Sequence, residues 1–491
     1  MKVTRSSILA YCGRAGRLLG RPRWLAGLFL LCALPTGLGI ALLTPIDMFS
    51  DEFAHIGRAD ALRYGEILGV AAPGTPPGMA RGFVIVNTGI FNVLLNKEFA
   101  AAYPDKPVPA LARRETEAIK WDSRPAYSPS QMVEYLPIFY TPGALGLLAG
   151  EKLGFSPLDT VYLGRIAMLL AFIAMGTAAL ALARFGAALL FAILTLPAVL
   201  NLASSYNQDG MMLGACVLAA ALLTRATAAP GRSWFAALAL LIAVVCAKTP
   251  YAALLLFCLP PLCGPGFWRR AGFVLLGFVP PGLWLIHCIR AGFIAYGRAP
   301  YQPGPLWPGG HDIWLTTVQP HDNLLVLLAH PAQLIILPLV TLKAFWWATW
   351  PLLLGGMASG NLRIPAWEYP CLIFALAAAA LEALSGRPAG WRVWDAGFAA
   401  LALFAAFIGM EIALYVTFTS VGLPYIEGVS GRYFLPLMPF SVFLLGYAGS
   451  RLARLPHLAM GWFCLPAMAM ALVNIYVLPA LMFHVFRMPG P

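Results

Sequence analysis

Charge is what this chain has least of. Only 11% of its 491 residues are Asp, Glu, Lys or Arg, against 60% hydrophobic, and the mean hydropathy is +0.76. Soluble globular chains carry about 25% charged residues, so a water-soluble fold is excluded and an integral membrane protein is implied. Other absences narrow the class. The alternating ten-residue segments of an outer-membrane barrel are missing, which leaves helical spans. The nine cysteines (Cys12, Cys32, Cys216, Cys246, Cys258, Cys263, Cys288, Cys371 and Cys464) lie in or beside apolar runs and never form CxxC. They read as small buried hydrophobes, neither a disulfide framework nor a metal site. Without a Walker A, GxGxxG, GxSxG or HExxH pattern, nucleotide hydrolysis, a dinucleotide fold and serine- or zinc-dependent hydrolysis have no support. Neither a fixed-period repeat nor the inverted-repeat hydropathy of many transporters is present.

What is there is a succession of apolar runs near the ~20 residues that a helix needs to cross a bilayer. The first, 24–44, follows a basic stretch with Lys2, Arg5, Arg14, Arg17, Arg21 and Arg23. It is longer than a secretory h-region and no A-x-A site follows, so an uncleaved span is expected, with residues 1–23 in the cytoplasm. Further spans are expected near 160–183, 186–204, 210–224, 233–247, 250–264, 271–289, 368–384, 396–420, 432–450 and 457–484. The fold class is therefore all-α and polytopic, with about 11 spans (9–13), of which 160–289 form a bundle and 368–486 the C-terminal set. The net charge of +12 gathers in short basic loops, as the positive-inside rule expects, and gives no nucleic-acid signal. The acidic loops are expected on the side of the membrane opposite the basic ones.

Two polar stretches interrupt the series. Residues 45–159 hold 13 of the 21 acidic residues, and interfacial helices are expected over 50–68, 111–121 and 134–154. Residues 290–367 are rich in Pro, Gly and Trp; within them 331–354 reads as re-entrant, interfacial or a tight hairpin of two short spans.

The densest group of reactive side chains follows the first span: Asp47, Asp51, Glu52, His55 and Arg58. In a helix Asp51, His55 and Arg58 would share one face. Such a group suits a helix start, with Ser50 as N-cap and the acids in the first turn. It equally suits a carboxylate at the lipid–water boundary that takes a proton from a hydroxyl, or that ligates a divalent ion such as Mg or Mn. Asp209 in Ser204-Ser205-Tyr206-Asn207-Gln208-Asp209 and Lys248 between two spans are expected on the same side, as are Glu427 and Arg432-Tyr433. Arginine there suits a lipid-phosphate headgroup. Glu411 interrupts a long span, and the His311-Asp312 and His321-Asp322 pairs read as solvated loop.

The order of these pieces resembles a bacterial membrane family known as domain of unknown function 2142. Its acidic motif after the first span is matched by Ser50-Asp51-Glu52-Phe53-Ala54-His55-Ile56-Gly57-Arg58-Ala59, with Ser50 where the family has proline. Its Y-x-P-x-x-Y-x-P stretch is matched by Tyr135 to Pro142, a span opening by Tyr162-Leu163-Gly164-Arg165, an acidic loop by Asp209, and a late G-R-Y-F-L-P-L-x-P signature by Gly431 to Pro439. The family in turn looks like the GT-C class of polytopic glycosyltransferases. That likeness implies inverting sugar transfer from a polyprenyl-phosphate donor to a glycan, lipid or protein acceptor at the outer face. Asp51, Glu52, His55 and Asp209 would then be catalytic, with Asp47, Arg58, Lys248, Arg432 and Tyr433 binding substrate. A transporter or flippase of an amphiphile, or a non-catalytic envelope-assembly subunit, is the alternative. A transporter would set its key charges at mid-bilayer, whereas here most gather at one surface.

Overall fold

The computed structural model describes residues 21–71, 73, 82–95, 107–226, 229–291, 320–360, 362–384, 386, 388–451 and 460–488. Lys2, Arg5, Arg14, Arg17, His311, Asp312, Arg387 and Arg454 lie outside them.

Helix α1 (Pro22–Leu43) is the first apolar run, opened by a proline at a position where a missing N–H leaves no gap in the helix. A folded cap follows: α2 (Glu52–Arg63), β1 (Phe83–Asn87), α3 (Thr88–Leu94), α4 (Ala110–Glu117), β2 (Pro125–Pro129), two 3-10 turns (Gln131–Glu134, Pro137–Tyr140) and α5 (Thr141–Lys152). Strands β1 and β2 pair antiparallel, Phe83 opposite Pro129 and Asn87 opposite Pro125. Helix α2 lies on this ribbon through Gly57, where a Cβ would stand 3.4 Å from Val84. Ile46, Ile56, Ile90, Tyr140, Leu158 and Tyr206 give the cap a core of its own.

The bundle continues with α6 (Pro157–Leu182), α7 (Ala187–Leu194), α8 (Pro197–Ala203), α9 (Gln208–Leu223), α10 (Arg232–Ala247), a 3-10 helix (Thr249–Cys258), α11 (Phe267–Gly277) and α12 (Val279–Ala291). After α13 (Pro320–Ala329) come α14 (Gln333–Gly355), the short pair β3 (Gly356–Met357) and β4 (Leu362–Arg363), α15 (Glu368–Ala383) and α16 (Val393–Phe418). A 3-10 helix (Gly431–Phe440), α17 (Ser441–Arg451), a further 3-10 turn (Met460–Cys464) and α18 (Leu465–Phe486) close the chain.

Among the described residues, six segments are long and apolar enough to cross a membrane: Pro22–Leu43, Pro157–Leu182, Phe267–Ala291, Gln333–Gly355, Val393–Phe418 and Gly461–Phe486. Gln208–Leu223, Arg232–Ala247 and Thr249–Cys258 are shorter apolar helices. The expected helical membrane architecture is present, with two small ribbons added. The run 186–204 is broken before Pro197 into α7 and α8, both wholly buried, so protein rather than lipid surrounds the broken rungs. Residues 333–355 form one continuous helix despite Pro338 and Pro351, neither a hairpin nor a re-entrant loop.

Helix α9 is the axis of the bundle, with every residue but Leu218 buried. Helix α1 lies along α6, Phe29 meeting Phe172 edge-on at 6.1 Å. Helices α5 and α6 touch backbone to backbone, because a Cβ on Gly146 would stand 2.6 Å from the Gly164 Cα. The cap therefore sits rigidly over the end of the bundle where α1 finishes and α6 and α9 begin.

Candidate functional site

The chain leaving α1 is tied down before it reaches α2. Arg165, fully buried on α6, uses all five of its N–H groups. Nε and Nη2 donate to the Glu52 carboxylate at 2.8 and 2.5 Å. Nη1 donates to the Ala41 and Thr44 carbonyls at 2.8 and 2.7 Å, and Nη2 also to that of Pro45 at 2.9 Å. Within the loop, Asp47 Oδ1 accepts from the Phe53 N–H at 2.7 Å while the Asp47 N–H donates to Glu52 Oε2 at 3.1 Å. These restraints hold Asp47 and Asp51 in the left-handed region, at φ 67° and 58°, which Asp tolerates better than most residues. Asp51 is thus the residue before α2, not part of its face. Ser50 is not the cap; its Oγ donates to the Ser359 carbonyl at 3.0 Å.

From that turn the Asp51 carboxylate meets Arg432, 381 residues away, with Nη2 to Oδ2 at 2.6 Å. Arg432 Nε stands 3.7 Å from Asp209 Oδ2, and Asp209 Oδ1 accepts from Lys248 Nζ at 2.5 Å. Two acids and two cations form an alternating chain with no net charge. The Asp51 side chain is 48% exposed, whereas those of Arg432, Lys248 and Asp209 are 17%, 13% and 6%. Lys248 lies over the rings of Tyr135 (5.5 Å) and Tyr433 (5.0 Å), and Arg432 over that of Tyr433 (5.2 Å). Burial by itself would raise the Asp51 carboxyl, but the Arg432 guanidinium, with Lys248 behind it, outweighs burial and holds it below its ordinary value.

His55 lies behind Asp51, its Nδ1 2.7 Å from Tyr140 Oη. Burial pushes this imidazole down to about 4 against the pull of Asp51 and Asp209, so it is neutral at pH 7. Three expected site residues do other work. Glu52 is fully buried on Arg165, with no face toward an acceptor. Asp47 is tied to Phe53 and is pushed up to about 7 by burial and by Glu52. Arg58 is buried in the cap, its Nη2 donating to the Ile67 and Tyr135 carbonyls at 2.5 and 3.4 Å, so it does not reach a phosphate at the Asp51 site. Glu427 accepts from the Ser420 N–H, and the His321-Asp322 pair is exposed at 3.4 Å.

Residues not singled out from the sequence complete the frame. Asn207 caps α9, its Oδ1 accepting from the Asp209 N–H at 2.9 Å, while its Nδ2 donates to the Ser50 carbonyl at 3.3 Å. One amide therefore sets both Asp209 and the turn of Asp51. An Asn before an acid at a helix start is a legible capping signal. Gly164 makes room for Tyr206, whose hydroxyl would stand 1.6 Å from a Cβ there and which donates to the Val161 carbonyl at 3.0 Å. Gly431 is pressed on α14, where a Cβ would meet the Leu353 N at 2.4 Å and the Thr349 O at 2.5 Å.

Two cavities adjoin the charged chain. An apolar groove of ≈ 430 Å³ runs among α10, the following 3-10 helix, α12 and α16, walled by Trp284, Leu285, Met410 and Leu414, with Lys248, Tyr135 and Tyr433 also lining it. A smaller cavity of ≈ 170 Å³ has Ser50, Asn201, Ser359, Ser430 and Arg432 among its lining residues. Beside it Ala358 has φ 49°, held on both sides by Asn201. Among the described residues the non-glycine positions with positive φ are Asp47, Asp51 and Ala358, and strain of this kind gathers at functional sites. Among the described residues no group of three or more His, Cys, Asp or Glu assembles, and Asp51 and Asp209 are each paired with a cation.

A family model described as a predicted membrane protein, DUF2142, matches residues 22–441. The chain belongs to this family. No curated protein and no solved structure matches it. The DUF2142 match takes in every residue of the charged chain, and the family's description carries no activity.

Proposed function

We propose that this DUF2142 protein is a membrane glycosyltransferase that uses a polyprenyl-phosphate sugar donor at the outer face of the cytoplasmic membrane. The observation that carries the reading is an apolar groove ending at Lys248 and Tyr433, with Arg432 and a half-exposed Asp51 beside them. The lipid would lie in the groove and its phosphate would meet Lys248 and Arg432. Asp51 would accept the proton of an acceptor hydroxyl as that oxygen bonds to the anomeric carbon. The bond from that carbon to the phosphate oxygen breaks on the opposite side, and its electron pair leaves on the phosphate, whose charge the cations stabilise. In-line attack inverts the anomeric centre. Asp209 orients Lys248 and Arg432, His55 backs Asp51 as a neutral group, and Glu52, Asp47 and Arg58 hold the loop.

One observation favours a second reading, a transporter of an amphiphile. Both carboxyl oxygens of Glu411 are buried in α16 without a hydrogen-bond partner among the described residues, as in proton relays. Mass spectrometry of surface glycans and lipid-linked sugars from cells with and without the gene separates the two. A missing sugar with accumulated donor supports transfer. An unchanged donor structure trapped in the inner leaflet supports transport.

A further inference from the structure

Arg432 has hydrogen-bonding capacity that the protein leaves unmet. Its Nη2 serves Asp51 at 2.6 Å and Tyr433 Oη at 3.3 Å. Its Nε and Nη1 are buried and without a hydrogen-bond partner among the described residues, Nε standing at ion-pair distance from Asp209. Buried donors of a cation are ordinarily satisfied, and the planar fork of arginine matches the paired oxygens of a phosphate. The acid that Arg432 does hold is the one best exposed to an acceptor, and a carboxylate bonded to a guanidinium accepts a proton poorly.

We propose that Arg432 is an exchange residue: a phosphate ester reaching the mouth of the apolar groove takes Arg432 from Asp51, and that exchange frees Asp51 to act as a base. The inference rests on the transfer reading above and deepens it. The charge balance favours it, because the Asp51–Arg432–Asp209–Lys248 chain is neutral and an arriving phosphate makes one carboxylate surplus to the two cations. Asp209, at 6% exposure and bonded to Lys248, stays in place; Asp51, at 48%, is the acid with room to turn. Neither backbone has to move. Gly431 seats Arg432 against α14, and Arg165 with Glu52 fixes the turn of Asp51. A bare site is thereby poorly basic, and the base appears only with the donor bound.

The test is ligand binding to the purified full chain in nanodiscs, with farnesyl phosphate, farnesol and inorganic phosphate as probes. Asp51→Asn and Asp51→Gly both tolerate a left-handed backbone, so two variants guard against misfolding of one. Each is expected to bind farnesyl phosphate about two- to fivefold more tightly than wild type, the range of a partly exposed ion pair. Arg432→Gln is expected to bind it no better than farnesol. Binding of inorganic phosphate as tight as farnesyl phosphate would assign the site to free phosphate and overturn the lipid ester. If wild type binds farnesyl phosphate and both Asp51 variants bind it equally or more weakly, the exchange is overturned while the donor reading stands. If neither wild type nor variants bind it, the donor reading falls, and the exchange with it.

Discussion

Asp51 is placed by its backbone as much as by its charge. Its left-handed turn puts the carboxylate ahead of α2 and toward Arg432. Asp51→Asn keeps that turn and removes the proposed base, so turnover should fall by about 10²- to 10⁴-fold with the melting midpoint little changed, measured on purified protein. Glu52→Gln acts differently. It leaves Arg165 buried without its counter-charge and should cost about 3–5 kcal/mol, read as an earlier thermal melt. His55 adds a pH dependence. It titrates near 4 when folded, against 6.5 when free, so between those values the unfolded chain holds the proton and the native chain does not. Its contribution is complete above about pH 6.5 and is lost as pH falls toward 4. His55→Gln should flatten that part of a melting-midpoint-against-pH curve. At this scale the sequence exposes the acids but not their partners. Glu52 and Asp51 are neighbours in one motif, yet one faces Arg165, 113 residues on, and the other Arg432, 381 residues on. Nothing local separates the acid buried on Arg165 from the half-exposed one on Arg432.

Elements were more legible where hydropathy is long and uniform. The expected spans at 24–44, 160–183 and 396–420 correspond to α1, α6 and α16 within a few residues. The break between α7 and α8 follows from Pro197, a signal that a sliding apolar average hides. The β1–β2 ribbon was not legible, since five-residue strands with prolines at both ends of β2 carry almost no periodic pattern. The 3-10 helix Gly431–Phe440, with Pro436 and Pro439 inside, turns a nominal span into the element that delivers Arg432. Gly431→Ala should push that element off α14. We expect lost activity together with weaker farnesyl phosphate binding, because the Thr349 and Leu353 contacts are backbone and cannot step aside.

For the molecule as a whole, the motifs that looked like separate landmarks meet at one place. Tyr135 lies over Lys248, Tyr140 on His55, Arg165 on Glu52 and Arg432 on Asp51. Their order along the chain was legible, and their convergence was not, because the paired residues stand 85 to 381 positions apart in sequence. The proposed sidedness has a direct check. Arg124, 81% exposed on the cap, and Cys263, exposed before α11, belong to opposite faces in this reading. An Arg124→Cys variant should react with an impermeant maleimide in intact cells, and Cys263 only after permeabilisation. The central claim, that Asp51 serves sugar transfer, is tested most directly by mass spectrometry of lipid-linked sugars in a deletion strain carrying wild type or Asp51→Asn at equal abundance. The account predicts that wild type clears the accumulated donor and Asp51→Asn does not. Full clearance by Asp51→Asn, with the glycan restored, would contradict it.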